Sequence, residues 1–135
     1  MNISTINWLA VIVAAPSNFL MGGLWYSPVL FGRQWMKENN FTNEDMKKGG
    51  MATIFIFTFI FSSMMAFNLA MFLNEPKTSP AWGAAAGFLA GFGWAAPALC
   101  IIALFERKST RYMFIHAGYI TISFVLMGFI IGAWR

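Results

Sequence analysis

Residues 81–105 read AWGAAAGFLAGFGWAAPALCIIALF, a stretch that contains no Lys, Arg, Asp or Glu. A hydrocarbon core about 30 Å thick needs about 20 apolar residues at a helical rise of 1.5 Å each. Three further stretches of this kind occupy residues 6–26, 51–73 and 112–134. Their apolar residues run continuously, without the alternation of barrel strands. The sequence therefore predicts an all-α integral membrane bundle of four transmembrane helices.

The composition also indicates a membrane protein. Hydrophobic residues make up 59% of the chain and charged residues 10%, whereas soluble domains carry about 25% charged residues. We expect one transmembrane domain over residues 1–135. Its first span has no basic segment before it and no clear cleavage site after it, so it is interpreted as a retained helix. The single cysteine, Cys100, excludes an intrachain disulfide.

The positive charge is confined to loops and predicts orientation. The chain has nine Lys and Arg residues, and all except Lys77 and Arg135 lie in or beside the first and third loops. Basic loops stay in the cytoplasm, so we expect a multi-pass protein with both termini outside the cytoplasm. The basic residues contact lipid headgroups in this interpretation, and no nucleic-acid partner is expected.

The first loop, residues 27–50, carries helix signals of its own. Residues 31–37 (FGRQWMK) place aromatic and basic pairs four apart, which suits a short interfacial helix, with a connecting turn as the alternative. Thr42 before Glu44 and Asp45 resembles a helix start. The second helix is expected to begin there and continue through Gly49 and Gly50 into the membrane.

Small residues recur along the third and fourth spans. Such stripes let helix backbones approach closely in lipid, where no hydrophobic force drives helices together. The helix-packing candidates are Gly83, Gly87, Gly91, Ala95, Gly128 and Gly132. Two interpretations remain open for the stripe of the third span: packing inside one bundle, or the interface of a homo-oligomer.

An internal similarity links the first and third spans. Residues 22–28 and 91–97 share the pattern Gly-x-x-Trp-x-x-Pro. Both spans run in the same direction, so the pattern is consistent with two parallel-repeat helical hairpins. Chance similarity in a chain rich in Gly and Trp is the alternative.

Polar residues of the spans cluster in the half nearest the first loop. The candidate membrane site consists of Asn18, Thr58, Ser62, Trp94, His116 and Tyr119. Pro16 and Pro97 are expected to loosen the helices beside it. The layer either binds a lipid or a small neutral ligand, or only hydrogen-bonds the helices together. No catalytic or metal-binding spacing is present, so we expect neither an enzyme nor a cofactor or metal.

Three segments resemble the signature of the domain-of-unknown-function family 1761: NWLAV at residues 7–11, GLWYSP at residues 23–28 and FGxxW at residues 31–35. The resemblance covers nearly the whole chain. It implies a small, mostly bacterial, integral membrane protein with four helices, and therefore a location in the bacterial inner membrane. It implies no established activity.

Two functions are compatible with these features. The first is a structural bundle that associates with itself or with a partner in the membrane. The second is a small carrier or channel for a neutral solute or a lipid, which would use the polar layer.

Overall fold

The computed structural model of the protein describes residues 2–134, so Arg135, counted above with the termini, lies outside the described residues. Every regular element in this range is helical. After a 3₁₀ turn at Ile3–Thr5 come α1 (Trp8–Trp25), α2 (Gly32–Asn39), α3 (Asn43–Met46), α4 (Met51–Phe72), α5 (Pro80–Ala90), a π-helical segment (Gly91–Ala95), α6 (Ala96–Phe105) and α7 (Thr110–Ala133). Four units are long and apolar enough to cross a membrane: α1, α4, the third span Pro80–Phe105 and α7. The predicted fold class is confirmed.

Hydrogen bonds between distant segments fix which ends of the spans lie together. Asn7 caps α1 and donates its Nδ2 to the carbonyl of Trp134 at 2.7 Å. Asn74, after α4, donates to the carbonyl of Asn2 at 2.7 Å. Both ends of the described chain and the loop after α4 therefore share one side, here called the terminal side.

The other side, here called the basic side, carries the first and third loops. Ser109 caps α7 and its hydroxyl donates to the carboxylate of Glu38 on α2, which ties the two loops together. Thr42 and Asp45 form a capping box on α3. The expected continuous second helix is wrong, because Gly50 adopts a φ of 98° and interrupts the helical path before α4 begins at Met51.

Three of the four spans, α1, α4 and α7, pack around one another, and the third span packs on α7. α7 lies between α1 and the third span, and α4 packs against α1 and also contacts α7. The core of small and aliphatic side chains lies toward the terminal side, around Ala14, Ala66, Leu73 and Met127. On the basic side, the first half of α4 is exposed to the surroundings along nearly its whole circumference.

The glycine stripe of the third span packs against α7 of the same chain. A Cβ added at Gly83 would overlap the carbonyl of Gly128, and one added at Gly87 would overlap the carbonyl of Phe124. Gly132 meets Ser79 in the same manner, whereas Ala95 is half-buried. Close packing within the bundle therefore occupies the face that the sequence also offered as an oligomer interface.

Pro97 explains why the third span widens at its centre. A proline ring clashes with the carbonyl four residues earlier, here that of Gly93. The helix relieves this clash by a π-helical turn, in which Ala96 donates its N–H to the carbonyl of Gly91. The span therefore continues without a gap from α5 to α6, while its backbone hydrogen bonds change from the α-helical to the π-helical pattern between them.

The proposed hairpin repeat is only partly reflected in this arrangement. Gly22 and Gly91 both pack against α7, beside Tyr119 and Thr121 respectively. The two matched tryptophans, however, lie in different surroundings, as described below. Equivalence of the two hairpins stays a prediction.

Candidate functional site

Three of the predicted site residues meet where α1, α4 and α7 approach one another. Asn18 is 4% exposed and donates its Nδ2 to the hydroxyl of Ser62 at 2.5 Å. Tyr119 donates its hydroxyl to Oδ1 of Asn18 at 2.8 Å and lies 3.2 Å from the Asn18 carbonyl. One asparagine thus joins three helices, which is the role that hydrogen-bonding side chains commonly have in membrane bundles.

The sequence around Asn18 makes room for this contact. Gly22 lies one turn later on α1, and a Cβ there would approach the Tyr119 hydroxyl to 3.1 Å. Pro16 lies inside α1 without interrupting it. Ser17 turns its hydroxyl back to the carbonyl of Ala14 at 2.6 Å, so it does not join the cluster.

His116 belongs to a neighbouring aromatic cluster on the basic side. Its Nδ1 lies 2.6 Å from the hydroxyl of Tyr26, at the end of α1. The Tyr26 ring also contacts Trp35 of α2 and Tyr119 of α7, each with ring centroids 5.2 Å apart. Nε2 of His116 is buried and has no hydrogen-bond partner among the described residues. This nitrogen is a buried polar atom of the cluster that lacks a partner among the described residues.

Trp25 ties the turn after α1 to α7. Its indole N–H donates to the carbonyl of Ile115 at 2.9 Å, and its ring lies against Gly118 and Phe31. Gly32 is required here, because a Cβ would overlap the backbone of Ser27. The WYSP element quoted above therefore builds the contact between the first loop and the fourth span.

Two predicted site residues lie apart from this cluster. Thr58 is half-buried on α4 and forms no hydrogen bond with Asn18 or Tyr119. Trp94 is 82% exposed on the outer face of the third span, on the far side of α7 from α1. The prediction failed for Trp94 because equal depth in the membrane does not fix the direction in which a side chain points.

Tyr26 and Trp25 were missed as members of the site. Both occur in the WYSP element, which carries the family resemblance. Both end a span, where Tyr and Trp commonly face the lipid headgroups, so their position alone does not indicate a site. Their hydrogen bonds to α7 depend on the order of the helices, which the sequence does not reveal.

Taken with the four apolar spans, these interhelical hydrogen bonds define a multi-pass α-helical membrane protein. Within that class, the chain belongs to the family described as "Protein of unknown function (DUF1761)", whose family model matches residues 9–132. No curated protein and no solved structure matches the chain.

Proposed function

We propose that this protein is a non-catalytic, self-associating membrane module, in which the outer face of the third span binds the same face of a second copy. The observation that carries the proposal is Trp94, an 82% exposed side chain near the middle of a membrane span. The glycine stripe is already packed against α7, so the association uses the opposite side of this span.

Trp94 presents a hydrogen-bond donor where lipid offers no acceptor. It lies at least about 15 Å of helix away from either end of the span Pro80–Phe105. Its indole N–H has no acceptor among the described residues. Tryptophan normally lies in the headgroup region, and a polar group in hydrocarbon without a partner costs several kcal/mol. A protein partner at this depth would supply the acceptor.

The same turn of the helix also contains a free acceptor. Pro97 has no N–H, so one carbonyl in the preceding turn, at Phe92 or Gly93, lacks its helical donor. Gly93 is exposed and has open space where a Cβ would stand. A second helix can therefore approach the backbone closely at this point.

Donor and acceptor lie within one turn of each other, which makes the face self-complementary. In a two-fold dimer, each hydrogen bond that one copy donates to the other is matched by the same bond in the opposite direction. Parallel copies hold Trp94 and the carbonyl at the same depth, so each indole can bind the carbonyl of the opposite copy. Lipid chains satisfy neither group, which is why a second copy is the occupant that we propose.

Trp94→Phe is the test of this interface, because it removes the N–H and keeps an aromatic ring. Two interhelical hydrogen bonds at about 0.6–1.7 kcal/mol each correspond to a dissociation constant raised between about tenfold and a few hundredfold. The measurement is energy transfer between donor- and acceptor-labelled copies, diluted in lipid vesicles.

The matched control is Trp82→Phe, because Trp82 is exposed on the same span near its terminal-side end. This variant should associate as the parent protein does. Equal association of the two variants, or no energy transfer for the parent protein, would refute the proposal.

The carrier hypothesis keeps one observation in its favour, the unpartnered Nε2 of His116. Asn18, by contrast, has its amide engaged with Ser62 and Tyr119. A carrier that uses this layer should lose solute uptake into vesicles with His116→Phe while the fold survives. Uptake that equals that of protein-free vesicles would exclude the carrier.

A further inference from the structure

A groove of about 770 Å³ opens on the basic side between the first loop and α7. Its polar end is formed by Gln34 of α2 and Arg111 in the first turn of α7. Its walls are apolar and include Phe31, Phe114 and Ile115, with Gly118 at the far end. The groove thus has one cationic end and one apolar end.

The cation at the polar end has no partner of its own. Arg111 forms no ion pair or hydrogen bond with a described residue, and neither does the side chain of Gln34. The nearby acid of α2, Glu38, accepts a hydrogen bond from Ser109 instead. Lys108 lies over the ring of Tyr112, with Nζ 5.3 Å from the ring centroid. Arg111 is therefore available to bind an anion from outside the chain.

The length of the groove matches the border between headgroup and hydrocarbon. Arg111 and Gly118 are separated by about 10 Å along α7. Arg111 lies at the start of the fourth span, and Phe114 and Gly118 follow one and two turns deeper. Phe114 is 74% exposed, so the deep end of the groove is open to the surrounding lipid.

We infer that this groove binds one anionic phospholipid. The guanidinium of Arg111 holds the phosphate with two parallel hydrogen bonds, the geometry for which arginine is suited. The amide of Gln34 donates a further bond. One acyl chain lies along Phe114 and the Trp25 ring, which packs directly against the backbone of Gly118.

A lipid fits these features better than a soluble anion. A free phosphate would use the polar end and leave the apolar walls exposed to water. A lipid covers both ends and bridges α2 to α7, which Glu38 and Ser109 already join at one point. The groove is separate from the Trp94 face, so lipid binding does not depend on the proposed self-association.

Arg111→Gln removes the charge and keeps a side chain of similar length. The parent protein is embedded in nanodiscs of mixed phosphatidylglycerol and phosphatidylcholine and is then released from them in the native mass spectrometer. We expect it to retain phosphatidylglycerol. Loss of a charged hydrogen bond should lower that retention by about tenfold. Arg33→Gln is the matched control, because Arg33 is exposed on α2 and does not line the groove.

A second variant separates the two ends of the groove. Phe114→Ala should lower the retention of both lipids while the preference for phosphatidylglycerol remains, because it removes only apolar contact. Retention of phosphatidylglycerol by Arg111→Gln at the level of Arg33→Gln would overturn the inference. Competition by excess inorganic phosphate that equals competition by phosphatidylglycerol would also overturn it, because the site would then bind a free anion.

Discussion

Replacing Asn18 by Leu should destabilise the bundle through the loss of a defined pair of contacts. The amide of Asn18 donates to Ser62 and accepts from Tyr119, and both Asn18 and Ser62 are almost fully buried. Interhelical hydrogen bonds in membranes contribute about 0.6–1.7 kcal/mol each. The free energy of unfolding should therefore fall by about 1–3 kcal/mol.

A double-mutant cycle assigns this loss to the Asn18–Tyr119 contact. Tyr119→Phe alone should cost about 0.6–1.7 kcal/mol, and the double variant should cost less than the sum of the single variants. The assay is reversible unfolding in mixed micelles, followed by circular dichroism. The control is Asn68→Leu, because exposed Asn68 bonds only to the carbonyl of Met64 in its own helix. If Asn18→Leu is no more destabilising than Asn68→Leu, the hydrogen bonds of Asn18 to Ser62 and Tyr119 do not stabilise the bundle as proposed.

Three further predictions concern packing, orientation and pH. Gly87→Leu should lower the melting temperature strongly, because its side chain would meet the backbone of Phe124, whereas Gly23→Leu, with open space, should be tolerated. A C-terminal reporter that is active only in the cytoplasm should stay inactive, and an active reporter would reverse the predicted orientation. The Thr42 backbone N–H, followed by Lys48, lowers the pKa of Asp45. The stabilisation of α3 by ionised Asp45 is therefore fully present above the usual carboxylate pKa of about 3.9, and it is lost as the pH falls through the lowered pKa. The chemical shift of the Thr42 amide proton, followed by NMR as the pH is lowered, checks this.

The four spans could be predicted from the sequence, whereas the break at Gly50 before α4 could not. Lengths and bounds of the four spans follow from the absence of charge, since a charged side chain within hydrocarbon is costly. The caps of the third and fourth spans depend on local chemistry too: the hydroxyls of Ser79 and Ser109 each accept the backbone N–H of the residue three positions later. These features depend on neighbours in the chain, which the sequence displays directly.

The arrangement of the four spans around one another was not predictable in this way. Depth counting placed Trp94 beside Asn18, but α7 lies between their helices. The glycine stripe was compatible with a partner from the same chain or from another, because backbone contact has the same sequence requirements in both cases. Only the structure assigns that stripe to α7 and leaves Trp94 on the outer face.

Disulfide crosslinking in intact membranes tests the proposed self-association most directly. Ala98 is exposed one turn after Trp94, so Ala98→Cys in a Cys100→Ala background probes the interface while it keeps Trp94. The comparison is Leu20→Cys, at a 73% exposed position of α1. We expect a disulfide-linked dimer for Ala98→Cys and a monomer for Leu20→Cys. A monomer for Ala98→Cys, or equal crosslinking of both variants, would contradict it.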